Sequence, residues 1–305
     1  MKILVKVPAT SANLGPGFDA LGLALDLWNE AAFAPADDFR VEIEGEGANR
    51  LPKDQRNSIV DAALQVYKMV GKTCNGLHVH CINRIPLTSG LGSSSAAMLA
   101  GLLGANALLG EPLTRNELLK VAVENEGHPD NVAPAMLGGL VASATSYSKS
   151  IADGKIITRK MNVGAMAITV VTPDFHFPTK QARAALPKQI PMKDAVYNIS
   201  RAALVTKALE CGDLELLGQV MDDKLHQPYR LPLIPGAQSA IGAAKEAGAS
   251  AVALSGAGPS LIAFSAKKDS AIGKAMMQAF EAVGLSARVF ELGVSEEGAK
   301  VESSE

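Results

Sequence analysis

Alternating hydrophobic and polar residues occur in several short segments of the chain, as in β-strands with one buried face. The alternation is clear in KILVKV (residues 2–7), where Ile3, Val5 and Val7 share a face, and in FRVEIEGEG (residues 39–47). The first is predicted to be an edge or half-buried strand and the second another strand. Further strands are predicted in GLHVHCINRIP, GGLVASATSY, AMAITVVTP and SARVFELG, and on both sides of the glycine turn in GASAVALSGAGPSLIAFS.

Other segments have apolar residues at the spacing of an α-helix. NSIVDAALQVYKMVGK is predicted to end near Gly71, and TRNELLKVAVENEG to begin at Thr114, with Glu117 at the capping-box position. Helices are also predicted in the run AAMLAGLLGAN, in DSAIGKAMMQAFEAVG, and across residues 180–225 with interruptions at LPKQIPM and Gly212.

Strands and helices mix without strict alternation, which favours the α+β class over a doubly wound sheet. The length of 305 residues is typical of about two domains. The polar, turn-rich segment SKSIADGKIITRKMN predicts a boundary, and we divide the chain into an N-terminal lobe of residues 1–155 and a C-terminal lobe of residues 156–305. The terminal segment GVSEEGAKVESSE is predicted to fray.

Composition and charge narrow the class of protein. Hydrophobic residues make up 48% of the chain, charged residues 20%, and the net charge is −2 with lysine and arginine scattered, so we expect neither a nucleic-acid nor a membrane partner. Cys74, Cys81 and Cys211 form no CxxC motif, which favours a reducing compartment. Lys6 and Pro8 interrupt the first apolar run, so we expect no signal peptide and a cytoplasmic location.

The stretch IPLTSGLGSSSAAMLAGLLGAN (residues 85–106) places glycines and serines immediately before an apolar helix. The first amides of a helix lack internal partners and carry partial positive charge, and Gly90 and Gly92 would let an anion approach the backbone closely. Ser93, Ser94 and Ser95 add hydroxyl groups, one of which could cap the helix. The stretch therefore predicts a phosphate-binding loop, and the alternative is a helix cap with flexible glycines.

Known phosphate-binding motifs do not match this chain. GKT at residues 71–73 has Val66 where a Walker A loop needs its first glycine, and a GxGxxG motif starting at Gly90 would need glycine at Ser95. A second glycine turn, LSGAGPS (residues 254–260), is either another functional loop or a tight hairpin.

Polar residues concentrate in four further segments. TSANLGPGFDALG supplies Asn13 and Asp19, VENEGHPDN supplies Glu124, Glu126, Asp130 and Asn131, FPTKQARAALP supplies Thr179 and Arg183, and HQPYRLPLIPG supplies Arg230. Carboxylates suit Mg²⁺ held beside phosphates, and the two glutamates, two residues apart, cannot share one helical face, so we expect only one to reach the metal. The rigid arginine fork matches a carboxylate or phosphate. Taken singly, each could equally be a turn residue or a surface charge.

Together these motifs resemble a known family. PLTSGLGSSSAA is similar to the phosphate loop of the GHMP small-molecule kinases, and SGAGPS to their C-terminal glycine motif. VPATSANLGPGFDALG, EGHPDNVAPAMLGG, TKQARAALP and HQPYRLPLIPG resemble, in the same order, the homoserine kinases of that family. The resemblance implies a ribosomal-S5-domain-2-like N-terminal lobe and a ferredoxin-like C-terminal lobe. It also implies transfer of the ATP γ-phosphoryl group to the side-chain hydroxyl of L-homoserine, with Mg²⁺, in threonine biosynthesis, and a homodimer.

The resemblance also assigns residue roles. Asn13, Asp19 and Asn131 would contact homoserine, with Asp19 on the amine, and Arg183 and Arg230 would bind its carboxylate. Asn131, Thr179 and Glu126 are the expected catalytic residues, with Thr179 near the transferred phosphoryl group. Ser94 and Glu126 would hold Mg²⁺, and Glu124 is the alternative. The residues expected to bind the nucleotide are Pro86, Leu87, Thr88, Ser89, Gly90, Leu91, Gly92, Ser93, Ser94, Ser95 and Ala96.

Three alternatives remain open at this point. Asp130 could act as a base, although the loose transition state of phosphoryl transfer requires none. The chain could be a GHMP kinase for mevalonate or a sugar, which would leave Asp19 unexplained because those substrates lack an α-amino group. It could also be a kinase-like protein that binds a nucleotide without catalysis.

Overall fold

The first of two β-sheets contains both ends of the described chain. The computed structural model describes residues 2–145 and 156–304. Seven strands form this sheet: β1 (Lys2–Ala12), β2 (Leu21–Pro35), β3 (Phe39–Gly45), β4 (Leu77–Asn83), β5 (Leu140–Thr145), β6 (Ile156–Met161) and β11 (Lys300–Ser304). Their order is β11-β1-β2-β4-β3, and β5 joins β2 and β6 joins β5. Only the β3–β4 pair is parallel among the pairings of the described strands.

The second sheet has four antiparallel strands: β7 (Ala167–Pro173), β8 (Ala251–Leu254), β9 (Leu261–Ser265) and β10 (Ala287–Leu292). Their order in space is β10-β7-β9-β8. The chain order of strand, helices, two strands, helix and strand is that of a ferredoxin-like fold. The α+β class and the two-lobed architecture expected from the sequence are therefore confirmed.

Helices cover these sheets and position the loops between them. Four belong to the first half of the chain: α1 (Ser58–Met69), α2 (Ser93–Leu108), α3 (Arg115–Glu126) and α4 (Val132–Leu137). Six belong to the second: α5 (Thr179–Ala184), α6 (Met192–Cys211), α7 (Leu214–Val220), α8 (Gln227–Arg230), α9 (Ala237–Glu246) and α10 (Ser270–Glu281). The capping box predicted for α3 is present at Thr114 and Glu117. Over residues 2–145 and 156–304, the helices are too short or too polar to cross a membrane.

Helix α2 lies in the core because its sequence is apolar on every side. A Cβ atom on Gly101 would lie 2.2 Å from the Ile59 carbonyl oxygen, and one on Gly104 would lie 2.5 Å from the ring of Phe33. These two glycines let α1 and β2 approach the axis of α2 closely. Close packing along α2 fixes the position of its N-terminus, where the phosphate loop ends.

One sequence prediction about these elements is confirmed and one is wrong. The strand at the N-terminus is half-buried, one of its two predicted forms, and β1 lies between β11 and β2 rather than at an edge. The loop after β1 ends at residue 20, because β2 begins at Leu21 and runs for 15 residues. The terminal segment does not fray over its described part, because β11 pairs with β1 from Lys300 to Ser304.

The predicted boundary at residues 155 and 156 falls at the end of a segment, residues 146–155, outside the described residues. The division at that point stays a prediction. Two strands that it would assign to the C-terminal lobe, β6 and β11, are hydrogen-bonded into the first sheet through β5 and β1.

Candidate active site

A small cavity lies between the loops that connect the two sheets. Its volume is about 130 Å³, and its lining comes from the loop after β1, the start of α2, the α3–α4 connection, α5, α8 and the second glycine turn. The predicted site residues that line it are Asn13, Asp19, Thr88, Ser89, Gly90, Gly92, Ser93, Ser94, Ser95, Glu126, Asn131, Thr179, Arg183 and Arg230. Six separate segments thus contribute to one cavity, as the resemblance implied.

The start of α2 faces this cavity without a cap. The residue before the helix is Gly92, with a φ of 71°, and no side chain caps the first turn. The expectation that a serine caps α2 is therefore wrong, because a glycine in the left-handed conformation takes that position. The serines at 93–95 line the cavity instead, so the uncapped first turn of α2 is beside it. A helix N-terminus of this kind favours an anion.

Four of the predicted nucleotide-binding residues do not line this cavity. Leu91 and Ala96 are buried at 0% and 1% exposure, and they pack the loop into the core. Pro86 and Leu87 line an adjoining cavity of about 470 Å³, which also contacts Thr88. The loop therefore separates two cavities, with its glycines and serines on the side of the smaller one.

The second glycine turn is hydrogen-bonded to the phosphate loop. The Ser255 hydroxyl lies 2.9 Å from the Gly90 carbonyl oxygen, and the Ser260 amide donates to the Ser89 carbonyl at 3.1 Å. A Cβ atom on Gly90 would lie 2.2 Å from the Ser255 carbonyl oxygen, so the approach requires glycine. The turn is more than a hairpin between β8 and β9, because it holds the loop at the mouth of α2.

Asn13 orients the loop that follows β1. Its Nδ2 donates to the Gly256 carbonyl at 2.8 Å, and its Oδ1 accepts from the Asp19 amide at 3.0 Å. Asn13 is 3% exposed and has a φ of 70°. Both ends of its amide are therefore bonded to the protein, and Asn13 fixes Asp19 relative to the second glycine turn.

Asp19 and Arg183 form an ion pair across the cavity. The two guanidinium nitrogens Nη1 and Nη2 donate to the two carboxylate oxygens at 3.1 and 2.8 Å. Burial alone would lower the pKa of Arg183, but its hydrogen bonds and charge interaction with Asp19 outweigh this effect and raise it. The sequence assigned these residues to opposite charges of a zwitterion, and in the structure they neutralise each other.

Arg230 is a buried cation without a carboxylate partner in the described part of the chain. It is 1% exposed, and its hydrogen bonds go to the Ala182 and Gly256 carbonyls and to His226 Nδ1. Burial, with repulsion from Arg183, lowers its pKa to about 10. Charged side chains are rarely buried unpaired. Arg230 therefore offers an unmatched positive charge at the cavity wall.

Of the two glutamates in the acidic segment VENEGHPDN, one lines the cavity and the other does not. Glu126, the last residue of α3, is half-buried and lines the cavity, whereas Glu124 is exposed and does not line it. Burial raises the pKa of Glu126. The Ser95 hydroxyl, also on the lining, is buried and interacts with Glu126, which partly offsets this rise. These oxygen atoms form a donor set suited to a hard cation.

His128 and Asp130 form a buried pair beside Glu126. Their Nδ1 and Oδ1 atoms are 2.5 Å apart, and both residues line the cavity. Burial alone would lower the pKa of His128, but the hydrogen bond to Asp130 and its charge outweigh burial and raise it. One ligand atom from each of Asp19, His128 and Asp130 lies within 4.8 Å of the others. This part of the wall is rich in acceptors for a cationic group.

Asn131 and Thr179 complete the cavity. The Thr10 hydroxyl donates to Asn131 Oδ1 at 2.9 Å, so the donor that Asn131 can direct at a ligand is its Nδ2 group. Thr179 is the exposed first residue of α5. Asn131 is thus held by a residue of β1 that is 121 positions away in sequence.

Sequence reasoning did not assign roles to Thr10, Phe18, His128 and His226. The Phe18 ring stacks on His226 at 5.2 Å and lies 5.2 Å from the Arg230 guanidinium. All four lie inside the quoted motifs, but no local pattern distinguishes them from ordinary core or turn residues. Their position in those motifs was the only available signal.

Comparisons with known proteins agree with this geometry. The family model for the GHMP kinases N terminal domain matches residues 57–139, and that for the GHMP kinases C terminal matches residues 202–281. A homoserine kinase from Moorella thermoacetica is 47% identical over 300 residues, covering 98% of this chain and 99% of the relative. A solved homoserine kinase structure from Cytophaga hutchinsonii has a TM-score of 0.85 at 34% identity, covering 99% and 97% of the two chains.

A more distant structure shares only the fold. Galactokinase from Lactococcus lactis, solved with galactose, has a TM-score of 0.73 at 16% identity, covering 98% of this chain and 95% of its own. Identity above 40% to homoserine kinases over nearly the full length, together with the two matched GHMP kinase domains, shows the family. The chain belongs to the GHMP kinase family and, within it, to the homoserine kinases.

Proposed function

We propose that this chain transfers the γ-phosphoryl group of ATP to the side-chain hydroxyl of L-homoserine, giving O-phospho-L-homoserine. The observation that carries the proposal is the buried, unpaired Arg230 in a cavity that also contains the carboxylates of Asp19 and Asp130. An amino acid brings one carboxylate and one ammonium group, and this wall has a counterpart for each. Mevalonate and sugars bring no ammonium group to the acidic side.

The phosphates of ATP are proposed to bind at the uncapped start of α2. The cavity volume of about 130 Å³ is below the ~300–1,000 Å³ usual for ligand sites. It would therefore hold homoserine and the transferred phosphoryl group, while the rest of the nucleotide lies outside it. Pro86 and Leu87, at the start of the loop, would extend the binding surface beyond Thr88.

A magnesium ion would fit beside the phosphates. Glu126 provides a half-buried carboxylate, Ser94 an exposed hydroxyl, and Ser95 a buried hydroxyl beside Glu126. Mg²⁺ would neutralise phosphate charge there. Glu126 is favoured over Glu124 as the ligand because only Glu126 lines the cavity.

The remaining side chains orient the acceptor. Asp19 and Asp130 would hold the ammonium group, Arg230 the carboxylate, and Asn131, oriented by Thr10, would donate to the side-chain hydroxyl. On this assignment the Asp19–Arg183 pair opens or shifts when substrate arrives, so that Arg183 reaches the carboxylate or the phosphoryl group.

In-line attack by the hydroxyl needs positioning and charge neutralisation more than a strong base. Asp130 stays the candidate if a base acts, because it is the buried carboxylate of this wall. Its exchange for asparagine would lower kcat by about 100-fold or more if it accepts the proton. A loss confined to KM would limit Asp130 to binding.

Homoserine analogues test the proposal most directly. The purified chain is given ATP and MgCl₂ with L-homoserine, 4-hydroxybutyrate, 3-amino-1-propanol, mevalonate or galactose, and ADP release and phosphorylated product are measured. We expect turnover of homoserine to exceed all others, since each analogue lacks at least one of the two charges that the cavity matches. Faster turnover of mevalonate or galactose would refute the substrate. ATP binding without transfer to any alcohol would instead indicate a binding protein.

A homodimer and a cytoplasmic location, both expected from the sequence, stay predictions. Light scattering during size-exclusion chromatography tests the first by giving the mass in solution, against 31.7 kDa for one chain. Cell fractionation of the native host tests the second.

A further inference from the structure

His226 occupies a fully buried position between the loop after β1 and Arg230. Its Nε2 atom lies 2.8 Å from the Gly15 carbonyl oxygen, and its Nδ1 atom lies 3.4 Å from Arg230 Nη1. The residue is 0% exposed and immediately precedes α8, of which Arg230 is the last residue. His226 therefore links two of the segments that form the cavity without lining the cavity itself.

The contacts assign the tautomer of the ring. A carbonyl oxygen can only accept, so Nε2 must carry the proton that bonds Gly15. An arginine nitrogen can only donate, so Nδ1 must be the unprotonated acceptor facing Arg230. The neutral Nε2–H ring satisfies both neighbours, and protonation would turn an N–H group towards a guanidinium. Burial lowers the pKa of His226, in the same direction as this geometry.

We propose that His226 is a positioning residue, whose Nδ1 accepts from Arg230 and holds that guanidinium in place for the substrate carboxylate. The inference rests on the proposed function, since it assumes that Arg230 binds homoserine. In the described chain, Arg230 uses Nε and Nη1 for protein contacts, which leaves Nη2 for a ligand. The planar guanidinium moves as a unit about the Cδ–Nε bond, so an acceptor at Nη1 also opposes movement of Nη2.

His226 is held both through its backbone and through its ring, as positioning requires. Asp223 Oδ2 accepts from the backbone amides of His226 and Gln227 at 2.8 and 2.6 Å. Asp223 Oδ1 accepts from the Asn198 amide at 2.7 Å, which ties this turn to α6. On its face, the ring of Phe18 stacks at 5.2 Å with an interplanar angle of 23°. A side chain fixed in this way can hold the Arg230 guanidinium in one orientation through the contact at Nδ1.

Two substitutions separate the two nitrogens. His226→Gln keeps a donor near the Nε2 position, and so the bond to Gly15, but removes the acceptor at Arg230. His226→Asn keeps an acceptor near Nδ1 and loses the bond to Gly15. We expect KM for homoserine to rise roughly tenfold in His226→Gln, because Arg230 Nη1 loses one of its two acceptors and keeps only the Gly256 carbonyl, while KM for ATP stays unchanged. His226→Asn should restore most of the homoserine KM.

The matched control is His80→Gln, a partly exposed histidine on β4 bonded to Glu44, which should leave both KM values unchanged. A double variant with Arg230→Met gives a second measurement: His226→Gln should add nothing once Arg230 is gone. Additive losses, an unchanged homoserine KM in His226→Gln, or equal rises in both KM values would overturn the inference.

Failure of the proposed function gives a different result, since the wild-type chain would then not phosphorylate homoserine at all. If the variants do not fold, nitrogen-15 NMR of the wild-type histidines still tests the tautomer. A proton on Nδ1 of His226 in the native protein at pH 7 would overturn the inference.

Discussion

Replacing Arg230 by methionine should weaken substrate binding without destabilising the fold. The guanidinium is 1% exposed, has no carboxylate partner in the described chain, and has its pKa lowered to about 10. The difference from an ordinary arginine corresponds to about 3 kcal/mol of unfavourable free energy in the ligand-free protein. Methionine fills similar space without that charge, and it loses the hydrogen bonds to Ala182, Gly256 and His226. We expect these effects to offset, so that the free energy of unfolding does not fall.

Unlike the free energy of unfolding, the affinity for homoserine should fall in Arg230→Met. Removing one partner of a buried ion pair costs about 3–5 kcal/mol, because the other charge is left buried and unpaired. At about 1.4 kcal/mol per tenfold, kcat/KM for homoserine should fall by at least about 100-fold. KM for ATP should change less than about threefold, since the α2 N-terminus is untouched.

The assay combines thermal unfolding with coupled ADP-release kinetics. Homoserine should raise the melting temperature of the wild-type chain and leave that of Arg230→Met unchanged. A variant that unfolds at lower temperature yet keeps its homoserine kinetics would refute the reasoning, because Arg230 would then be a structural residue. Equal losses for homoserine and ATP would also remove it from the carboxylate role.

Three further predictions concern the metal, the loop and a histidine. Glu126→Gln should raise the Mg²⁺ concentration for half-maximal rate, whereas Glu124→Gln should not; a reversed result exchanges the two roles. Gly92→Ala should raise KM for ATP about tenfold or more, since φ is 71° and the new Cβ would lie 2.1 Å from Thr10 Oγ1; unchanged ATP kinetics would contradict this. Burial lowers the pKa of His226 in the native state below its unfolded value. The stability that this contributes is fully present above the unfolded pKa and is lost as pH falls from that value through the lower folded pKa, so denaturation of wild type should be more acid-sensitive than that of His226→Gln; equal sensitivity would count against it.

Much of the site was predictable because its signals are local. Glycines and serines before an apolar helix indicate an anion site, since both the loop and the helix start are encoded within one stretch. Glu126 differs from Glu124 through the point at which α3 ends, at Gly127 with a φ of 84°. The sequence left two glutamates as candidates for the expected Mg²⁺ ligand. The position at which α3 ends favours Glu126 over Glu124.

Other predictions failed because they depended on partners elsewhere in the chain. The terminal strand β11 is polar and reads as a frayed tail, but β1 supplies its hydrogen bonds. The apolar stretch of β2 lacks strict alternation, since its first half is buried on both faces. A serine cap for α2 was chemically reasonable, yet Gly92 takes that position beneath Thr10, and the serine hydroxyls line the cavity.

The sequence by itself determined the phosphate loop, the α+β class and the family, because motifs and short periodic segments carry that information. Only the tertiary structure decided which charges meet: Asp19 pairs with Arg183 across 164 positions, whereas Arg230 is buried without a carboxylate partner in the described chain. Pairing and desolvation depend on distances in space, and residue spacing along the chain does not encode them. The difference between a neutralised arginine and an available one, on which the proposed substrate recognition depends, therefore arises only when the two lobes come together.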